Sequence, residues 1–280
     1  MLLRSLSSKI GPKGVLLIVK NYTGDRLNFG MALEIAKQEG IHVKMCVVKD
    51  DCALPIGKGI TGGRGIAGTV FVHKVAGAMA ATGANLDEVH QAAETAATNI
   101  YTLGVALSTC TVPGSTAHSS NRLSKLGCIE LGMGIHGEPG REQLQLPVEG
   151  AASYVAKLLV DGILGSSIVV SGEDNEDKLP RLKYNLGQKV DVLINNLGAL
   201  PVIEMQIVTG FILASLIERG LIPVRVYSGP YMTSLEMCGL SLSLYVITHD
   251  DVDLSRLDLT TTAPAWIPSP AFDHNGIVVY

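Results

Sequence analysis

A histidine set among glycines is the residue of this chain most open to chemistry. Residues 131–140 read Leu-Gly-Met-Gly-Ile-His-Gly-Glu-Pro-Gly, so His136 stands between Gly134 and Gly137, directly after an apolar run at 128–133. Glycines carry no Cβ and adopt φ > 0 readily, which lets a ligand approach the imidazole closely. A neutral imidazole nitrogen is also a nucleophile towards a carbonyl carbon. Its attack on a small ketone would give a tetrahedral hemiaminal, a covalent hold on the substrate. The alternative is that His136 merely bonds its backbone surroundings in a tight turn, and spacing alone favours that second reading.

Lys20 and Asp25 form a second cluster. Residues 14–20 (Gly-Val-Leu-Leu-Ile-Val-Lys) are a continuous apolar run that ends in Asn-Tyr-Thr-Gly-Asp, and a helix pattern follows over 26–39. Ligands of open α/β sheets bind just beyond the carboxyl ends of strands, where Lys20 and Asp25 fall. Asp25 is equally suited to capping the helix. A third motif, Gly63-Arg-Gly-Ile-Ala-Gly68, matches G-x-G-x-x-G and has Asp87 near the expected distance. Dinucleotide binding needs those glycines in the turn immediately after a strand, whereas residues 51–62 intervene here, so a nicotinamide or flavin role is disfavoured.

The elements that must position these residues alternate. Apolar runs at 14–20, 42–49, 103–108, 128–133, 189–195, 222–227 and 239–248 read as strands; 26–39, 69–81, 86–101, 147–164, 201–219 and 250–257 read as helices. Asn85 and Glu88 are spaced as a capping box. The pattern implies an α/β fold: two α/β subdomains with mainly parallel or mixed sheets covered by helices. The first subdomain takes residues 1–101 plus 238–262, the second takes 102–237 with the His136 turn, and 263–280 is an extended tail. Residues 166–187 read as a long surface loop able to carry an insertion.

Hydrophobic residues make up 47% and charged ones 17%, the balance of a folded domain. A net charge of −4 with no basic run argues against nucleic acid or an anionic membrane as partner. No apolar run approaches the ~18 residues of a membrane span. Five cysteines, odd in number and without a C-x-x-C pair, favour a reducing compartment, and the chain reads as cytoplasmic. The serine- and lysine-bearing start at 1–13 is only a faint transit-peptide signal. No metal site is expected. Nor is there a phosphate-binding G-x-x-x-x-G-K-[ST] loop, since Gly57-Lys58 is followed by Gly59 and Cys52 stands where the first glycine belongs.

Four motifs together resemble the dihydroxyacetone (glycerone) kinase family. They are Lys20-Asn21-Tyr22-Thr23-Gly24-Asp25-Arg26-Leu27-Asn28-Phe29, Gly68-Thr69 with His73-Lys74-Val75-Ala76-Gly77-Ala78, Gly134-Ile135-His136-Gly137-Glu138-Pro139-Gly140, and Asn195-Asn196-Leu197-Gly198. The similarity runs over about residues 14–266 and is to the substrate-binding domain, particularly that of the eukaryotic ATP-dependent enzymes. The resemblance implies that His136 holds the substrate carbonyl as a hemiaminal, that Asp25 is the general base on the hydroxyl to be phosphorylated, and that Lys20, Gly134 and Gly137 bind substrate. Dihydroxyacetone or glyceraldehyde would be the substrate, in glycerol and triose metabolism; glycerol, lacking a carbonyl, would be rejected.

The resemblance also implies that ATP and Mg are co-substrates supplied by a separate nucleotide-binding domain or subunit, with none bound by this chain. A Gly-Ser-Gly-His-Glu-Pro segment of the family has no counterpart before residue 14, and Ala199 stands where the family usually has a glycine. Family habit together with an exposed sheet edge leads us to expect a homodimer. The alternative function is a catalytically incomplete binding protein of the same family.

Overall fold

A computed structural model describes residues 13–55, 62–111, 113–114, 123, 127–165, 179–266, 271–272 and 278–279. Residues 1–12 of the leader signal at 1–13, the Gly57-Lys58-Gly59 stretch and residues 166–178 of the expected surface loop at 166–187 lie outside the described residues. In chain order the elements are β1 (Val15–Lys20), α1 (Thr23–Gln38), β2 (Val43–Val48), α2 (Thr69–Ala81), α3 (Leu86–Thr98), β3 (Ile100–Ala106), β4 (Cys128–Leu131), β5 (Glu142–Gln145), α4 (Ala151–Leu164), β6 (Lys189–Asn196), α5 (Val202–Glu218), β7 (Ile222–Gly229), β8 (Gly239–Val246), α6 (Asp250–Asp258), β9 (Ala271–Phe272) and β10 (Val278–Val279). The class is α/β with a mixed sheet, as the alternation implies.

Among the described residues β1 and β2 pair in parallel as a two-stranded sheet, and an eight-stranded sheet runs β10-β9-β7-β6-β8-β3-β4-β5. β6 and β7 are parallel, while β8 lies antiparallel between β6 and β3. The larger sheet therefore runs across the positions 101/102 and 237/238 at which subdomain boundaries are expected. The tail contributes to it as well: Ala271 in β9 pairs with Arg225 of β7.

The sequence of β8, Gly-Leu-Ser-Leu-Ser-Leu, shows why this sheet has two unlike faces. Successive strand side chains point to opposite sides. Leu240, Leu242 and Leu244 enter one core with Val192 and Ile194 of β6 and the apolar sides of α4 and α5. Ser241 and Ser243 face the other way, towards α2 and α3, and are buried. There Phe71 of α2 meets Tyr227 and Tyr245 with ring centroids 5.8 and 5.6 Å apart. A buried leucine is worth roughly 1.5–3 kcal/mol and sustains its face cheaply, whereas a buried serine needs a hydrogen-bond partner. Ser243 has one, because Thr102 donates to its Oγ at 2.8 Å.

Three helices differ from their sequence pattern: α4 starts at Ala151, after Gly150 with φ +71°, and not at 147, while α1 and α3 differ for local reasons of their own. α1 begins at Thr23, not at 26, with Tyr22 as an N-cap that makes no side-chain capping bond. Asp25 is therefore inside the first turn and is not the cap residue, though a carboxylate there still complements the helix dipole. α3 stops at Thr98, because Ile100 already pairs with Tyr245 in the sheet. Its start is as expected: Asn85 accepts from the backbone N–H groups of Asp87 and Glu88, and the Glu88 carboxylate accepts from that of Asn85.

The Gly63–Gly68 motif serves packing. A Cβ on Gly65 would lie 2.6 Å from the Val48 carbonyl oxygen and 2.8 Å from the Lys20 Cα, so the loop backbone presses directly on the ends of β1 and β2. A Cβ on Gly68 would lie 2.3 Å from Ile100 Cγ2 and 2.6 Å from Asp50 Oδ2. Gly68→Ala is expected to destabilise the chain by about 1–3 kcal/mol through overpacking. Gly77→Ala on α2, where no described residue lies within 4 Å of the added Cβ, is expected to stabilise it by about 0.5–1 kcal/mol. Urea denaturation midpoints check the pair, and equal shifts of one sign would contradict this packing.

No helix among the described residues is long and apolar enough to cross a membrane. All five cysteines are free thiols, with Cys46 and Cys52 buried.

Candidate active site

β1 ends at Lys20, and the next residues make a sharp corner: the Tyr22 N–H bonds the Lys20 carbonyl at 2.9 Å, and α1 starts at once. Asn21 is buried at this corner, and its side-chain amide donates to the Gly63 carbonyl at 2.6 Å. Tyr22 is thereby aimed across to the histidine turn. Its ring meets the His136 ring edge-on, with centroids 4.9 Å apart, and the Lys20 Nζ lies 5.7 Å from the Tyr22 ring centre. Lys20 and His136, 116 positions apart, thus share one aromatic residue. Burial pushes the Tyr22 hydroxyl's pKa far up, so it stays a neutral phenol. Asp25, half-buried, follows in the first turn of α1 at the same corner.

His136 occupies the third position of a four-residue turn closed by the Gly137 N–H on the Gly134 carbonyl at 3.0 Å. Gly137 has φ of +78°, which its lack of a side chain permits, and among the described residues only Cys110 Sγ, at 3.8 Å, comes near the place of a Cβ. The expected turn is present, and it leaves the imidazole accessible, with 58% of the side chain exposed. The room beside Gly134 is taken by a carboxylate: a Cβ there would lie 2.0 Å from Glu138 Oε2. Glu138 bonds the His136 backbone N–H through Oε2 at 3.0 Å and the ring Nδ1 through Oε1 at 2.9 Å. Burial works against this carboxylate, but the bonds from the His136 ring and from backbone N–H groups outweigh it and hold the Glu138 carboxyl below its ordinary range.

A buried ion pair anchors the turn from beneath. Arg64 Nε donates to Asp51 Oδ2 at 2.5 Å, and Nη2 donates to the Gly132 carbonyl at 2.6 Å. Asp51 also accepts from the Ala53 N–H at 2.8 Å. Removing one partner leaves the other charged and buried, so Arg64→Ala is expected to cost about 3–5 kcal/mol and to free the Gly132 carbonyl. A urea midpoint equal to that of the wild type would refute this. Next to it Asp50, wholly buried, accepts from the Ile66 and Gly68 N–H groups at 2.7 and 2.8 Å. Burial pushes its carboxyl up to about 6 even though the bonds from Thr102, Ile66 and Gly68 pull the other way.

The Asn195-Asn196-Leu197-Gly198 motif supports the histidine turn from the opposite side. Asn195 exchanges two bonds with the Met232 backbone, both 2.7 Å, and Asn196 accepts from the Gly198 and Leu200 N–H groups at 2.8 and 3.2 Å. Gly198, at φ +147°, lets the Leu235 carbonyl come within 2.0 Å of where a Cβ would stand. Ser234 on this segment donates to the Ile135 carbonyl, next to His136. Leu235 is the described non-glycine residue with positive φ, at 51°, so Ala199 tolerates its place without backbone strain.

The structure therefore brings Lys20 and His136 onto Tyr22 and leaves Asp25 one short step along α1. Sequence reasoning overlooked Tyr22, Arg64, Ser234 and Glu138 as parts of the site. Glu138 had a local signal, since a carboxylate two residues from a turn histidine can reach its ring. For Arg64 and Ser234, whose bonds span 68 and 99 positions, no such signal exists. The chemistry available here is an accessible imidazole with one nitrogen engaged, a nearby cation, and a carboxylate at the mouth of a strand. Among the described residues no group of three or more His, Cys, Asp or Glu side chains is arranged to hold a metal ion.

Residues 2–265 match the family model described as Dak1 domain. The chain is 48% identical over 267 residues to a putative 3,4-dihydroxy-2-butanone kinase of Solanum lycopersicum, covering 95% of this chain and 42% of that protein. It is 41% identical over 253 residues to the dihydroxyacetone-binding subunit DhaK of a PTS-dependent dihydroxyacetone kinase from Listeria innocua, covering 89% of this chain and 70% of that subunit. The crystal structure of the Citrobacter freundii dihydroxyacetone kinase superposes with a TM-score of 0.74 at 38% identity, over 93% of this chain and 43% of that one.

Proposed function

Because the chain belongs to the Dak1 domain family, we propose that it is the substrate-binding domain of a dihydroxyacetone (glycerone) kinase. It captures dihydroxyacetone or glyceraldehyde as a hemiaminal on His136 and presents a hydroxyl for phosphorylation. The observation that carries this reading is the His136 ring itself: open to solvent, engaged through Nδ1 alone among the described residues, and set against Tyr22, over which Lys20 lies. The compounds for which the similar proteins are named, 3,4-dihydroxy-2-butanone and dihydroxyacetone, share a carbonyl beside a hydroxyl-bearing carbon, and the carbonyl is what such a nucleophile selects.

In this reading Lys20 contacts the substrate oxygens, Gly137 keeps its side of the turn open, Gly134 admits the Glu138 carboxylate that engages the ring, and Asp25 takes the proton of the reacting hydroxyl. Phosphoryl transfer is then a matter of positioning and charge. The chain spans about two fifths of the tomato relative's length. ATP and Mg are supplied by a separate nucleotide-binding domain or subunit, an arrangement that a relative named as a dihydroxyacetone-binding subunit supports. A homodimer fits the apolar side chains that α5 leaves exposed, Ile203, Ile207 and Phe211. Five free thiols fit a cytoplasmic setting.

The test is reconstitution. The chain is mixed with a nucleotide-binding kinase subunit of this family, Mg-ATP and dihydroxyacetone, and dihydroxyacetone phosphate is measured. We expect product that depends on both proteins. No product from a partner that is active with its own substrate-binding subunit would overturn the kinase role.

A further inference from the structure

We propose that Glu138 is a positioning residue for His136: its carboxylate fixes the imidazole as the tautomer with hydrogen on Nδ1 and the lone pair on Nε2, and it compensates the charge that the ring gains on adding to a carbonyl. The inference rests on the covalent reading of the site given above and deepens it. An ionised carboxylate has acceptors only. With Oε1 2.9 Å from Nδ1, that nitrogen must therefore be the donor, and the other nitrogen is left as the nucleophile. The second oxygen is held by the backbone N–H of the same histidine at 3.0 Å, so both carboxylate oxygens are committed to one residue.

The surroundings are shaped for this carboxylate. Gly134 must be glycine to admit it, since a Cβ would stand 2.0 Å from Oε2. Arg64 Nη1 would lie 2.9 Å from that same Cβ, which puts a guanidinium, itself tied to Asp51, on the carboxylate's inner side. The Tyr22 ring closes one flank of the imidazole at a centroid distance of 4.9 Å. Ring rotation is thus opposed by a hydrogen bond on one edge and by an aromatic neighbour.

In the step this serves, the Nε2 lone pair forms the bond to the carbonyl carbon and the C=O π pair moves to oxygen, which takes up a proton from solvent. The ring is then substituted on Nε2, still carries hydrogen on Nδ1, and bears one positive charge that faces Glu138. Loss of the Nδ1 proton along that hydrogen bond gives the neutral hemiaminal. A ring held in the opposite tautomer would present N–H to the substrate and could not begin.

The experiment uses the whole chain with ¹⁵N-labelled histidine and carbonyl-¹³C dihydroxyacetone, in wild type and in Glu138→Gln. The ¹⁵N shifts of His136 in the ligand-free wild type should report hydrogen on Nδ1. A glutamine has one acceptor where two donors must be met, so Glu138→Gln should mix the tautomers and lower the tetrahedral ¹³C signal about tenfold or more at equal ligand. Wild-type His136 carrying its hydrogen on Nε2 would overturn the proposal, and this result needs no variant to fold. Unchanged tautomer and adduct in a folded Glu138→Gln would overturn it equally. Wild type with hydrogen on Nδ1 but no adduct would refute the covalent reading alone, leaving Glu138 as the group that orients the ring.

Discussion

His136→Ala is expected to abolish the tetrahedral carbon signal from carbonyl-¹³C dihydroxyacetone while leaving the chain folded. The wild-type spectrum should show a new resonance in the range of a carbon bonded to oxygen and nitrogen, distinct from that of the free hydrate. The variant should show only free ketone and hydrate. Loss is complete and not partial because, among the described residues, the other nucleophiles of this corner are set apart from the ring: Lys20 Nζ lies over Tyr22, and Cys110 Sγ is near Gly137. Folding is spared because 58% of the His136 side chain is exposed and its loss forfeits one aromatic edge contact and one hydrogen bond. We expect a stability change within about 1 kcal/mol. A persistent adduct signal would assign capture to another residue and end the covalent role of His136.

Asp25→Asn is expected to separate capture from turnover. The adduct should form as in the wild type, since the ketone is held by His136 and Asp25 stands on a different element, α1. With a nucleotide-binding partner and Mg-ATP, the rate of dihydroxyacetone phosphate formation should fall about 10²–10⁴-fold, the usual contribution of a positioned general base. Asparagine keeps the shape of the side chain and removes only its basicity and charge. Its cost to α1, where a first-turn carboxylate complements the helix dipole, is about 0.3–1 kcal/mol. Coupled product assays and the ¹³C titration on the same sample decide the matter. Equal loss of adduct and rate would make Asp25 part of the binding pocket, and no loss of rate would remove it from the chemistry.

These effects are distinct from those of Gly68→Ala and Arg64→Ala, which act through the frame. The frame in question is the pair of acids after β2. Asp50 holds the Ile66 and Gly68 N–H groups, and Asp51 holds Arg64, so a loop running from residue 62 to 68 is pinned against Lys20 on one side and the His136 turn on the other. Substitutions here should lower stability and capture together, whereas His136→Ala and Asp25→Asn should change chemistry alone. The two classes can therefore be told apart with a denaturation curve beside each titration.

The glycine motif at 63–68 illustrates what a pattern of residues leaves undecided. Its spacing matches a dinucleotide fingerprint, but the fingerprint is a statement about a turn directly after a strand. Here the glycines are required because two strand ends and the Asp50 carboxylate press on the backbone, at would-be Cβ distances of 2.6–2.8 Å for Gly65 and Gly68. A similar limit applies to α1, whose apolar pattern suggests a start at 26 although it begins at Thr23, because the corner at Tyr22 turns directly into the helix. Ser241 and Ser243 are visible as alternation, yet their use, as hydrogen-bond partners of Asn195 and Thr102, depends on β8 lying between β6 and β3.

By itself the sequence determined the period of each element, the capping box at Asn85, the α/β class, and the residue types able to do chemistry at His136, Lys20 and Asp25. These follow from local rules: side-chain periodicity, the backbone freedom of glycine, and the intrinsic reactivity of imidazole and carboxylate. Tertiary structure alone decided that Tyr22 joins Lys20 to His136, that Arg64 and Ser234 brace the histidine turn, and that the sheet carries an aliphatic core on one face and, on the other, an aromatic one beside the β8 serines. Those facts depend on contacts between residues tens to over a hundred positions apart. Such contacts form only when the strands have taken their order, and no local spacing encodes that order.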